Sequence, residues 1–172
     1  MSGDSTMKIV RDRHLVDDPW QPVGTEEPLP GGAIIVPVAR WHEALAAGRD
    51  EDSLGVVLPA GAEPSELDGL LEALPLVAVH FESPGDGRGY SLARTLRERG
   101  FGGDLRACGM FGRDQVFYLA RCGFTSFAPE AIEDLTSLLA GFDDFSLVYQ
   151  PAADVRDPID ALRAARAGNP AR

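Results

Sequence analysis

The sequence predicts an α/β protein built on a mostly parallel sheet of five to six strands with helices between them. Three observations predict it. Short apolar runs (AIIVPV, LGVVL, LVAVHF, LRACGM and FTSFAP) alternate with segments whose apolar residues recur at helical spacing. Polar or glycine-rich turns separate the runs from the helices, and strand–turn–helix units joined head to tail give parallel strands. LVAVHF is nearly continuous in apolar character, as a strand covered on both faces should be. A flavodoxin-like strand order is the first expectation. A truncated barrel of βα units is the alternative, because the pattern does not fix how the sheet closes.

Residues 1–31 read as an N-terminal arm, 32–151 as a single α/β domain and 152–172 as a polar C-terminal tail with one amphipathic stretch, Ile159 to Ala167. In the arm, Ile9–Val10 and Leu15–Val16 suit a short edge hairpin, and Trp20 is placed to pin the arm onto the domain. AIIVPV opens the domain. Its Pro37 cannot donate to a ladder, so it belongs at a strand end or a sheet edge. A short helix begins at Trp41, with Trp41 packed and His42 on the surface, and stops at Gly48. LGVVL is the second strand. Pro64, Ser65 and the spacing of Leu67, Leu70, Leu71 and Leu74 predict a helix over 64–74.

LVAVHF, the third strand, carries His80, which reads as a core histidine. Behind GDGRG a helix begins near Tyr90, capped by Asp86 or Ser91, and buries Leu92, Ala93, Leu96 and Phe101. Leu105–Met110 is the fourth strand. Asp114 is placed to cap the next helix, which buries Val116, Phe117, Leu119 and Ala120 and ends at Gly123. FTSFAP is the fifth strand, AIEDLTSLLAGF a helix closed by Gly141, and FSLVYQ a sixth strand.

A chain of 172 residues suits one domain with tails. No apolar run approaches the roughly 18 residues of a membrane span. The first residues lack the apolar centre of a secretory signal, so a cytoplasmic location is expected. A net charge of −11 argues against general binding to nucleic acid or anionic membranes. Cys108 and Cys122 are too far apart for a CxxC redox pair and read as buried thiols, and three scattered histidines make a zinc site improbable.

The distribution of charge says more than its total. Lys8 is the one lysine, and seven arginines (Arg88, Arg94, Arg97, Arg99, Arg106, Arg113, Arg121) fall within 88–121. Glu98, Asp104 and Asp114 oppose them, which leaves that segment at +4 inside an acidic chain. The planar guanidinium fork suits carboxylate, sulfate and phosphate. A genome that favours Arg over Lys, with the helix merely showing a solvated face, would explain the same bias without a site. Ligands of parallel sheets sit at the carboxyl ends of the strands, which directs attention to the turns Pro84–Ser91 and Gly109–Gln115. Gly85, Gly87 and Gly89 can expose N–H groups beside Arg88, giving an oxyanion cradle at a helix start, although a plain turn has the same sequence. The candidate set for anion or partner binding is Asp86, Gly87, Arg88, Gly89, Ser91, Arg94, Arg97, Arg113, Asp114 and Gln115. No catalytic residue, metal ligand or cofactor is assigned.

Familiar chemistry is missing. There is no G-x-x-x-x-G-K-[ST], no G-x-G-x-x-G after the first strand, no G-x-S-x-G elbow, no H-E-x-x-H and no clustered cysteine set. A phospho-receiver would need an acidic cluster after the first strand, where ValAlaArgTrp stands, and a lysine ending the fifth.

Asp86-Gly87-Arg88-Gly89-Tyr90-Ser91, Ala93-Arg94, Leu96-Arg97, Leu105-Arg106-Ala107, Gly109, Arg113-Asp114-Gln115, Arg121-Cys122-Gly123-Phe124 and Tyr149-Gln150-Pro151 together resemble a bacterial family designated domain of unknown function 934. The likeness runs from about residue 30 to 155 and is specific over 80–127. The family usually has bulkier residues at Pro84-Gly85 and Met110-Phe111-Gly112, both of which flank the turns. Its members are labelled probable oxidoreductases of sulfite reduction, so the resemblance implies a pathway. The expectation is therefore a non-catalytic accessory protein of assimilatory sulfite reduction. It would bind the sulfite reductase haemoprotein or another sulfur-assimilation enzyme, with a small oxyanion as a second ligand, and homo-oligomers are compatible with it. Two alternatives stand beside it: an oxidoreductase or electron-transfer component with a non-covalent cofactor, and a small-anion sensor.

Overall fold

The computed structural model describes residues 7–143. The strands are β1 (Lys8–Arg11), β2 (His14–Asp17), β3 (Trp20–Pro22), β4 (Ala33–Pro37), β5 (Leu54–Pro59), β6 (Leu76–Phe81), β7 (Asp104–Gly109) and β8 (Ser126–Pro129). The helices are α1 (Trp41–Ala46), α2 (Arg88–Glu98), α3 (Arg113–Arg121) and α4 (Thr136–Gly141). All eight strands join one sheet in the order β2-β1-β8-β7-β6-β5-β4-β3. Neighbours from β3 to β8 are parallel, and β1 runs antiparallel to both β2 and β8.

This order corrects the flavodoxin-like expectation. A doubly wound sheet reverses its strand order once, which sends helices to both faces. Here each parallel strand lies beside its predecessor in the chain, so right-handed crossovers put every helix on one face. The sheet curls around the other face, in the manner of a barrel. The strand count is also corrected, from five or six to eight among the described residues. The additional strands are β1, β2 and β3, so the N-terminal arm belongs to the same sheet as the domain. Only Asp18 and Pro19 separate β2 from β3. A chain that short spans about 10 Å, so the curl brings the two outermost strands that close at this point.

Side-chain alternation explains the apolar continuity of LVAVHF. Val77, Val79 and Phe81 face the helices and pack with Leu92, Leu96, Val116, Leu119 and Leu138. Leu76 and Ala78 face inward, with Ile35, Val57, Cys108 and Trp20. Trp20 does pin the arm, from inside the curl. The hairpin of β1 and β2 turns at Asp12 and Arg13, with φ of 47° and 64°, the left-handed pair that a two-residue hairpin requires.

The inner face is not wholly apolar. Arg106 on β7 forms a bidentate pair with Asp18, at 2.8 and 3.0 Å, and both side chains are 3% exposed. Its Nε donates to the Ser126 hydroxyl, and that hydroxyl and Thr125 donate to Asp104 Oδ1. Asp104 Oδ2 has no hydrogen-bond partner and lies 3.8 Å from Arg106 and 3.9 Å from Arg11. This network fastens the two-residue link between β2 and β3 to the middle of the sheet.

Two helices are shorter than the spacing predicts. Over 64–74 one tight helical turn forms, Pro64–Leu67, followed by separate turns in which Leu70 N–H donates to the Leu67 carbonyl and Ala73 and Leu74 N–H donate to that of Leu70. Asp68 is extended and Gly69 takes φ of +79°, which breaks the run, while Leu67 and Leu74 still reach the core. The helix expected from Ala131 begins at Thr136, whose N–H donates to the Asp134 carboxylate. Trp41 is buried and His42 exposed, as read from sequence. The predicted strand FSLVYQ and the 152–172 tail lie outside the described residues. Among the described residues no helix is long and apolar enough to cross a membrane.

Candidate functional site

Because β6 and β7 are parallel neighbours, the turns that follow them leave the sheet side by side at its carboxyl rim. Gln115 ties the two together. Its Nε2 donates to the Pro84 carbonyl at 2.5 Å and to the Tyr90 hydroxyl at 3.1 Å, while its Oε1 accepts from Gly112 N–H at 2.9 Å. The backbone closes the same seam, with Met110 N–H donating to the Phe81 carbonyl at 2.7 Å. Gly109 makes that approach possible. It has φ of +90°, and a Cβ there would stand 2.4 Å from the Phe81 oxygen.

The turn after β6 does not present an empty cradle. Arg88 is paired with Asp86 through two 2.9 Å hydrogen bonds, and Arg88 N–H donates to the same carboxylate at 3.2 Å. The chain's own carboxylate thus takes the place at the start of α2 where an outside oxyanion was expected. The side-chain hydrogen bond from Arg88 lowers the Asp86 pKa, and Asp86 raises that of Arg88. The α2 N-cap is Gly87, not Asp86 or Ser91. Gly89 serves packing, since a Cβ would meet the Phe81 ring at 2.5 Å. Ser91 and Arg94 are exposed on α2.

Arg97 is not on this rim. It donates to the carbonyls of Gly123, Phe101 and Gly103, beside the start of β7 and so at the opposite pole of the sheet. Burial lowers its pKa. Arg99 pairs with Asp68 at 2.7 Å, and Arg106 is buried in the inner network. At the second turn, Arg113 and Asp114 are exposed at the start of α3. Asp114 is not the cap: Gly112 takes that position, and the Asp114 carboxylate lies where a Gly112 Cβ would be, 2.6 Å away. Of the candidate set, Gln115 is the residue that reaches from the second turn to the first; Arg88 lies against Gly61 beyond β5, Arg113 lies against Gly141 of α4, and Arg97 is at the opposite pole. Met110, 37% exposed, adds an apolar side chain on the second turn.

Sequence reasoning missed a third member of the rim. His80 is not a core histidine: 39% of its side chain is exposed, and Nε2 lies 3.3 Å from Glu130 Oε1. The available signal was the period-two alternation that puts Leu76, Ala78 and His80 on the inner face, with His80 nearest the strand end. Cys108 is in register with it on β7, donates to the Val79 carbonyl at 3.5 Å, and has a thiol pKa pushed up to about 12 by burial. It is a packed thiol and not a nucleophile. Among the described residues no three His, Cys, Asp or Glu side chains are grouped to hold a metal ion.

Residues 55–159 match the model of a family described as bacterial proteins of unknown function, DUF934. The chain belongs to this family. The DUF934 match takes in β5 to β8 and both rim turns, and it leaves β1 to β4 outside. Comparison with curated proteins gives no match.

Proposed function

We propose that the protein is a non-catalytic accessory component of assimilatory sulfite reduction that docks a pathway enzyme, the sulfite reductase haemoprotein first among them, through the rim formed by residues 82–91 and 109–115. The observation that carries the docking half is the three-way hydrogen bonding of Gln115, which makes two turns one rigid surface. Preorganised turns bind without first losing the freedom of two mobile loops. Met110 supplies an apolar anchor inside a polar surround, the composition of an interface centre. The pathway half is supported by the label carried by the family this chain resembles.

Partner binding is favoured over anion sensing because Asp86 already engages the Arg88 fork and the first N–H of α2. Co-precipitation with purified sulfite reductase haemoprotein, at low and high salt, tests the reading. Capture by the native chain and its loss with Met110→Asp are expected. Failure to associate at either salt concentration overturns it.

A further inference from the structure

We infer that the polar network inside the curl is a binding site for one structural water, which joins Arg11 of β1 to Asp104 and Arg106 of β7 across the intervening β8. Arg11, Ser126 and Arg106 stand in one row across these three strands, and Asp104 lies two residues before Arg106 on the same face. Asp104 Oδ1 is engaged, accepting from the Thr125 hydroxyl at 2.7 Å and from the Ser126 hydroxyl at 2.8 Å. Oδ2 of the same carboxylate is buried and has no hydrogen-bond donor among the described residues. A carboxylate oxygen in that position has given up its hydration without a replacement. Two guanidinium groups face it and neither reaches it: Arg106 Nη2 stands at 3.8 Å and Arg11 Nε at 3.9 Å. Arg106 is held back, because Asp18 engages both of its terminal nitrogens and Ser126 engages its Nε.

Charge decides what the missing donor is. The carboxylates of Asp18 and Asp104 balance the guanidinium groups of Arg106 and Arg11. A metal cation would meet two guanidinium groups, and an anion would meet Oδ2 itself. A neutral donor that can also accept fits both sides. Water gives one proton to Oδ2 and accepts from the guanidinium groups, about the three hydrogen bonds usual for a buried water. Atoms 3.8 and 3.9 Å apart are too distant for a direct hydrogen bond, yet one oxygen can touch each at about 2.8–3.0 Å. Arg11 is the side from which the water exchanges. Its side chain is 43% exposed, against no more than 4% for Asp104 and Arg106. The water therefore lies at the seam between the N-terminal arm and the region that the family match covers, a second fastening beside the Asp18–Arg106 pair.

Two measurements on the full chain test this, and neither depends on the docking reading. A crystal structure at a resolution that shows ordered solvent is expected to place a water about 2.7–3.2 Å from Asp104 Oδ2 and from at least one of the two guanidinium groups. No water there, or a guanidinium nitrogen itself within that distance of Oδ2, overturns the inference. This result needs no variant and decides the site alone. Oxygen-17 relaxation dispersion of the solvent then counts long-lived waters in the native chain and in Arg11→Met, which keeps an aliphatic stem and removes the donor. The native chain is expected to hold one more long-lived water than the variant. Equal counts overturn the part assigned to Arg11.

Discussion

Most of the arginines that made 88–121 look basic have employment inside the protein. Arg97 caps three carbonyls, Arg106 is buried against Asp18, and Arg88 and Arg99 have carboxylate partners. Composition could not reveal this, since an arginine that neutralises a partner and one that spans backbone oxygens are written with the same letter. The energetic weight lies with the buried pair. Asp18→Ala removes both short carboxylate hydrogen bonds from the buried Arg106, leaves it only the Asp104 carboxylate at 3.8 Å, and should cost about 3 kcal/mol in urea unfolding. Cys108 gives a pH signature whose sign follows from its raised pKa. The folded thiol ionises at about 12 and the ordinary thiol at 9.0, so the folded state keeps its proton where the unfolded state loses it. Stability should be unaffected by this group below pH 9 and should fall above it. Cys108→Ala should remove part of that fall in urea midpoints measured between pH 8 and pH 10.5.

At the scale of elements, the apolar runs and their order were legible, and β4 to β8 stand where the sequence puts them. Period and composition report which face is dry, and that survives in Leu67 and Leu74 even where no helix forms. What they do not report is the backbone chemistry of single residues. Gly69 broke a predicted helix, and Gly112 rather than Asp114 starts α3. Gly109 is the sharpest case. It read as one glycine of a turn, yet its positive φ and the Phe81 carbonyl at its α-carbon let β6 and β7 end together. Gly109→Ala adds left-handed strain to that clash and should destabilise by at least about 2 kcal/mol, measured by thermal unfolding. Because it displaces Met110 and Glu130 as well, it should weaken haemoprotein capture at temperatures where the variant is still folded.

For the whole molecule, curvature was the illegible quantity. Sequential and reversed strand orders use the same βα units, and only long-range pairing distinguishes them, so the sequence reading puts the flavodoxin-like order first and the barrel second although the sheet curls like a barrel. The arm was legible in part: the hairpin of Ile9–Val10 with Leu15–Val16 and the pinning Trp20 stand as read, while β3 and the pairing of β1 with β8 depend on the strands they close upon. The matched region, 55–159, omits these strands. A fragment limited to it would lack Asp18, leave Arg106 without its bidentate partner and uncover the edges of β5 and β8. It is expected to give a poorly dispersed NMR spectrum, where the full chain gives a dispersed one. The candidate rim was legible to the extent that adjacent parallel strands share a carboxyl edge. That Gln115 would be the bolt, and His80 and Glu130 the third corner, depended on distances no spacing encodes.

The central claim is that residues 82–91 and 109–115 act as one docking surface, and amide chemical-shift mapping during titration with the sulfite reductase haemoprotein tests it most directly. The account predicts shifts or broadening concentrated in those two turns and the adjoining Glu130, with the β1–β2 hairpin and the pole around Arg97 unchanged. An unaltered spectrum, or changes confined to that hairpin or pole, would contradict it.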